Sequence, residues 1–386
     1  MDIFIVFALL LGLAAAQINS WQAKDLTLPG GYLWTLFAVH FFLSFTYLSY
    51  TYFNRSDSQN YYNVAIAATD WVSLWGTGTP FIDFLTWPFV NFFGLGYVAT
   101  MLVFAYMGFL GAAYFYLSTR DQIGSLPPVY GRYGWAELVF LLPNIHFWSS
   151  SIGKGSVMFL AIALYIYGLS RFNRRAFFII AGLLLAYFVR PHISFVMMAG
   201  TAIGLFITGK GIPWYVKVLV GGAAIGASVL LFKESVEFTQ VDTGNLGAFL
   251  EHRTDELGKA GSGVDIGSYN IFMKLFTFWF RPLFIDAPGA LGIFVSFENA
   301  LYLFMLYQVI SIGVRYWGQL NGWYKSCVFI FLLGSVILAQ VSGNLGIAMR
   351  QKSQLMPLFF FIFLKIKEYD HMKQFAGVRG AGIVAR

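Results

Sequence analysis

Two short strings in this 386-residue chain set an arginine behind aromatic residues and directly before a proline: Tyr187-Phe188-Val189-Arg190-Pro191, followed by His192, and Phe278-Trp279-Phe280-Arg281-Pro282. Proline disfavours helical geometry in the residue before it and brings no backbone donor, so each arginine is expected at a helix break, its guanidinium turned off the axis. Lys274 precedes Arg281 by seven residues, two turns on one helical face, and Arg350 and Lys352 add two cations further on. Arginine forks match phosphate oxygens bidentately, and a diphosphate leaving a sugar needs its developing charge neutralised. A sugar hydroxyl acting as nucleophile would need one positioned carboxylate as general base. Asp57, in the string NRSDSQNYYN, is the first candidate, because Tyr61 and Tyr62 could stack on a sugar ring. Asp83 is the second. The plainer readings stay open: cations that snorkel to the interface or pair with Asp286 and Glu298, and an Asp57 that is merely solvated.

The elements that must hold these residues are apolar. The chain is 58% hydrophobic and 11% charged, with a mean hydropathy of +0.67, values foreign to a soluble domain of this length. Repeated apolar runs and the lack of ten-residue alternation predict an all-α, polytopic integral membrane protein rather than a barrel. About 11 transmembrane helices are expected, at residues 2–17, 32–53, 98–118, 135–149, 155–170, 176–190, 192–208, 214–232, 290–313, 326–341 and 354–366. The basic connections 170–175, 210–217 and 315–325 and the basic tail should face the cytoplasm, which reads the net charge of +7 as topology and not as a nucleic-acid surface. The N-terminus and nearly all the unusual chemistry then fall outside, including one long external loop over 233–288. The helix over 176–190 is short for a bilayer, so Arg190 should lie beneath the outer surface in a protein-lined cavity. Segment 77–95, broken by Pro80 and Pro88, reads as a re-entrant or interfacial piece. The whole chain reads as one membrane domain, 1–386. The run Ile3 to Ala16 follows Asp2 rather than a basic cluster, so it is read as a retained helix and not a signal peptide.

Other motifs are weaker. LLPNIHFWSSSIGKGS, residues 141–156, sets His146 and Lys154 around an aromatic, hydroxyl-rich external turn that could touch substrate. Five scattered histidines offer no metal set, so no metal is expected. Gly153-Lys154-Gly155-Ser156 lacks the first glycine of a phosphate loop, GKAGSG lacks a strand-turn-helix setting, and no cofactor is expected. The single cysteine, Cys327, sits in an apolar run and reads as a buried thiol.

With DSQNYY (57–62), LLPNIHFWSSSIGKGS, the Arg-Pro-His break, FWFRPLF and GNLGIAMRQKSQLMP (343–357) in place, the pattern resembles bacterial polysaccharide polymerases of the Wzy and EpsG type, relatives of type C membrane glycosyltransferases. That resemblance implies transfer of saccharide repeat units between undecaprenyl diphosphate carriers on the external face of the bacterial inner membrane, in O-antigen or exopolysaccharide assembly. It implies Arg190, Arg281 and Arg350 as donor-gripping groups; Asp57 as base is inferred from the residues alone. His146, Lys154, His192, Lys274, Lys352, Tyr61 and Tyr62 complete the expected substrate contacts. The implied partners are a polyprenyl-diphosphate-linked oligosaccharide, membrane lipid and other polysaccharide-assembly proteins, with no nucleic acid. Two alternatives remain: a type C transferase using a polyprenyl-phosphate sugar, and a flippase or transporter of lipid-linked saccharide. The latter should show internal repeats, and none is legible.

Overall fold

Long apolar runs become helices because the backbone must satisfy its own polar groups where water is absent. The computed structural model describes residues 2–208 apart from 26, 55 and 125, residue 222, and residues 269–384 apart from 288, 341 and 343, with side chains to residue 373. In chain order the helices are α1 (Asp2–Lys24), α2 (Gly30–Phe53), α3 (Asp57–Ala67), α4 (Thr79–Trp87), α5 (Tyr97–Gln122), α6 (Trp135–Val139) and α7 (Pro143–Phe147), then α8 (Lys154–Ser170), α9 (Ala176–Val189) and α10 (Pro191–Thr208). After residues outside the described set come α11 (Ile271–Phe280), α12 (Gly289–Tyr316), α13 (Gly322–Gln340) and α14 (Leu345–Val384). A two-stranded antiparallel hairpin, Pro128–Tyr130 with Tyr133–Gly134, interrupts the helical order.

The helices α1, α2, α5, α10, α12 and α13 are each long and apolar enough to cross a membrane, while α8, α9 and α11 are apolar but shorter. Large apolar side chains such as Phe4, Phe177, Phe272 and Phe294 point outward, and His40, Ser44, Asp83, Asn299 and Lys352 are buried. Apolar outside and polar inside is the arrangement a lipid environment demands. The chain is a helical membrane protein.

The expectation of about 11 spans is not met among the described residues, where six helices qualify. Span 214–232, the basic connection 210–217 and the loop 233–288 up to residue 268 lie outside them, residue 222 apart. Run 135–149 is not a span: it is split into α6 and α7, five residues each. The cause is Pro143, which holds Leu142 in extended backbone, ψ 131°, and starts a new helix. Segment 354–366 lies within α14, which runs through Pro357. The stretch 77–95 holds the nine-residue α4 and a π-helical turn over Pro88–Phe92, short pieces as its prolines predict.

The chain divides into two units, residues 1–120 with 140–195 and residues 121–139 with 196–386. In unit 1, α8 and α9 form a close antiparallel hairpin. A β-carbon on Gly182 would stand 2.6 Å from the Ala161 carbonyl oxygen and the Tyr165 nitrogen, so this approach requires the glycine. Phe37 joins α2 to Phe109 of α5, ring centroids 5.1 Å apart. Unit 1 has two chemically different ends. Trp21, Tyr114 and Phe178 meet at one, where Arg120 donates to the Thr27 carbonyl at 3.4 Å and Arg175 lies 3.6 Å over the Tyr167 ring. Lys154 opens α8 about 25 Å away, at 1.5 Å per residue, and α9 returns the chain to that far end at Arg190.

In unit 2, α13 and α14 are antiparallel, with Phe331 stacked on Phe359 at 5.5 Å and Trp323 near Phe361 at 4.8 Å. The end that carries Lys325, Lys365 and Lys367 is tied by Tyr324 to the Gln122 carbonyl at 2.8 Å and by the Gly124 N–H to Glu368 at 2.6 Å. Lys274, Arg281, Asp286, Arg350 and Lys352 occupy the other end.

Candidate functional site

Around Asp83 unit 1 builds the setting that a general base requires. The carboxylate sits on α4, too short to span a membrane, and is 6% exposed. Its Oδ1 is buried and has no hydrogen-bond partner. Burial pushes the carboxyl up and Lys154 pulls it back, leaving it raised to about 6. Before α4 the chain turns at Gly78, φ +80°, a left-handed conformation that favours glycine. The Gly78 N–H donates to the Phe188 carbonyl at 2.7 Å, and Phe81 stacks on Phe188 at 5.0 Å. The Lys154 ammonium would lie 3.7 Å from a β-carbon at Gly78. Two residues past Phe188, α9 ends and Arg190 takes extended backbone, φ −152° and ψ 91°, with its side chain 8% exposed. Unit 1 therefore gathers a carboxylate that is half-ionised near pH 6 and two cations at the mouth of the α8–α9 hairpin.

The other expected residues of unit 1 fall differently. Asp57 is the exposed first residue of α3, behind a Ser56 cap. Tyr61 is buried, its ring 3.3 Å from where a β-carbon on Gly153 would stand, and Tyr62 donates to the Leu95 carbonyl at 3.3 Å. Tyr61 is thus a packing residue of α3, while Tyr62 is half-buried with its ring 5.5 Å from that of Tyr97. His146 is fully buried on α7 rather than in a turn, its Nδ1 3.0 Å from Nδ1 of His40 on α2. His192, half-buried, is the second residue of α10.

In unit 2, α11 ends at Phe280 and Arg281 stands in extended backbone before Pro282, as the proline predicts. Arg281 is ion-paired with Asp286, whose second oxygen accepts from the Leu283 N–H at 2.6 Å. Lys274 donates to Gln340 at 3.0 Å. Lys352 is wholly buried and donates to the carbonyls of Trp279 at 3.0 Å and Arg281 at 3.2 Å and to Asn299 at 2.7 Å. An ammonium has three protons, and these contacts use all of them, so Lys352 acts as a structural tie across α11, α12 and α14. Arg350 is half-buried near the start of α14. Among the described residues no group of three or more metal-ligating side chains occurs.

Sequence reasoning passed over His40 and Asn299. The signal for His40 was present, a titratable side chain in the middle of an apolar run. No family model matches the chain, no curated protein matches it and no solved structure matches it.

Proposed function

We propose that this protein is a membrane glycosyltransferase that moves saccharide units held on polyprenyl-diphosphate carriers, at the external side of a bacterial inner membrane, in polysaccharide assembly. The observation that carries the reading is the buried Asp83, whose carboxyl burial raises to about 6, with Lys154 and Arg190 at the same end of unit 1. In the step proposed, an acceptor hydroxyl oxygen attacks the anomeric carbon of the donor sugar. Its proton passes to the Asp83 carboxylate. The bond from the anomeric carbon to the phosphate oxygen breaks, and the electron pair leaves with the diphosphate, whose charge Lys154 and Arg190 neutralise.

A second reading shares this chemistry, with a polyprenyl monophosphate sugar as donor. What favours it is that Arg281 is engaged by Asp286 and Lys352 by three protein acceptors, and that Lys154 is the one cation whose charge acts on the Asp83 carboxyl, a smaller positive charge than a diphosphate calls for. The test is the lipid that accumulates in cells carrying Arg190→Ala. A build-up of single repeat units on diphosphate supports the polymerase; a build-up of monophosphate-linked sugar supports the second reading; unchanged polymer and unchanged lipid overturn both.

A further inference from the structure

Unit 1 holds a second pair of titratable groups, which the transfer reading does not use. His40 lies in the middle of α2 and His146 on α7, both rings fully buried. Their Nδ1 atoms are 3.0 Å apart and the rings cross at 79°. At that distance one nitrogen carries the proton and the other accepts it. Nε2 of His146 lies 2.8 Å from the Phe140 carbonyl oxygen. A carbonyl only accepts, so this Nε2 is protonated, and in the neutral ring Nδ1 of His146 is the acceptor. His40 must then donate from Nδ1, which leaves its Nε2 as a bare lone pair. That atom is buried and has no hydrogen-bond partner. The backbone of Ala105 on α5 is the polar group that acts on the His40 ring from that helix.

The enclosure is built closely. A β-carbon on Gly108 of α5 would stand 1.9 Å from the Ser149 carbonyl oxygen and 2.8 Å from Cε1 of His40. From α2, Ser44 donates to the Ser150 carbonyl at 3.4 Å, and after α7 Ser149 donates to the Ile145 carbonyl at 2.6 Å. These neighbours are neutral. Among the described residues no carboxylate, ammonium or guanidinium acts on either ring, so the titratable group facing each imidazole is the other imidazole.

We infer that His40 and His146 form a binding site for one proton inside the membrane-embedded part of unit 1, taken up at Nε2 of His40. The positive charge is shared through the bridge between the two Nδ1 atoms, and the Phe140 carbonyl accepts at the His146 end. A second proton is excluded, because both Nδ1 atoms would then be donors at 3.0 Å.

The experiment is solid-state nitrogen NMR of the full-length protein, labelled with nitrogen-15 in histidine and reconstituted in bilayers. At neutral pH the expected result is a coupling between ring nitrogens of two histidines. On acidification one unprotonated ring nitrogen of that pair becomes an N–H while the helical circular dichroism is unchanged. His40→Gln should remove both signals; the wild-type coupling tests the pair even if that variant fails to fold. Absence of the coupling, or no ring nitrogen of the pair gaining a proton before the helical signal falls, overturns the inference. Neither readout depends on transferase activity.

Discussion

Two opposite forces act on Asp83, and burial is the stronger. Burial raises its carboxyl to about 6 against the pull of Lys154, so the base form appears as the pH climbs through that value. Turnover should therefore rise between pH 5 and about 7, and Asp83→Asn should remove that limb and cost about 100- to 10,000-fold in rate, the usual range for a positioned base. Lys154→Met removes the lowering influence, and the limb should move to higher pH, as a pH–rate series would read directly. Stability has the opposite slope. A folded value of about 6 above the ordinary 3.8 gives a contribution fully present below 3.8 and lost as pH rises through about 6. Thermal unfolding in detergent should show wild type losing this increment between pH 4 and 7 and Asp83→Asn lacking that loss. The sequence singled out Asp83, Lys154 and Arg190 separately. The end of α9 reaches the start of α4 through the Gly78–Phe188 hydrogen bond across 110 residues, and no local pattern encodes such a contact.

At the scale of elements, proline chemistry was legible where hydropathy was not. The breaks at Arg190 and Arg281 follow from the prolines after them. The same rule at Pro143 was outweighed by the apolar run around it, and a segment that folds as two short helices was read as a span. Hydropathy reports depth, not continuity. The α8–α9 hairpin supplies a packing test: Gly182→Ala sets a methyl group 2.6 Å from backbone atoms of α8 and should cost about 1–3 kcal/mol in unfolding free energy. The buried tie supplies another. Lys352→Met strips a partner from the Trp279 and Arg281 carbonyls and from Asn299, and should destabilise unit 2 by about 3 kcal/mol or more, with the unfolding midpoint as readout.

Across the whole molecule, membrane class and the sorting of charge were readable from composition and from where arginine and lysine cluster. Each unit shows that sorting by itself, basic connections at one end and the Arg-Pro breaks at the other. The number of spans was not readable, because helices of 14 and 17 residues such as α9 and α8 are apolar like the full crossings but shorter. In a Cys327→Ser background, Asp57→Cys and Arg171→Cys should react with a membrane-impermeant thiol reagent from opposite sides of the bilayer. Labelling of both from one side would refute the two-ended arrangement of unit 1. The most direct measurement of the proposed activity uses the purified protein in liposomes carrying polyprenyl-diphosphate-linked oligosaccharide. The prediction is longer saccharide and free polyprenyl diphosphate in equal amounts, abolished by Asp83→Asn and by Arg190→Ala. Saccharide that stays unextended with the wild-type protein, or that is extended equally by both variants, would contradict it.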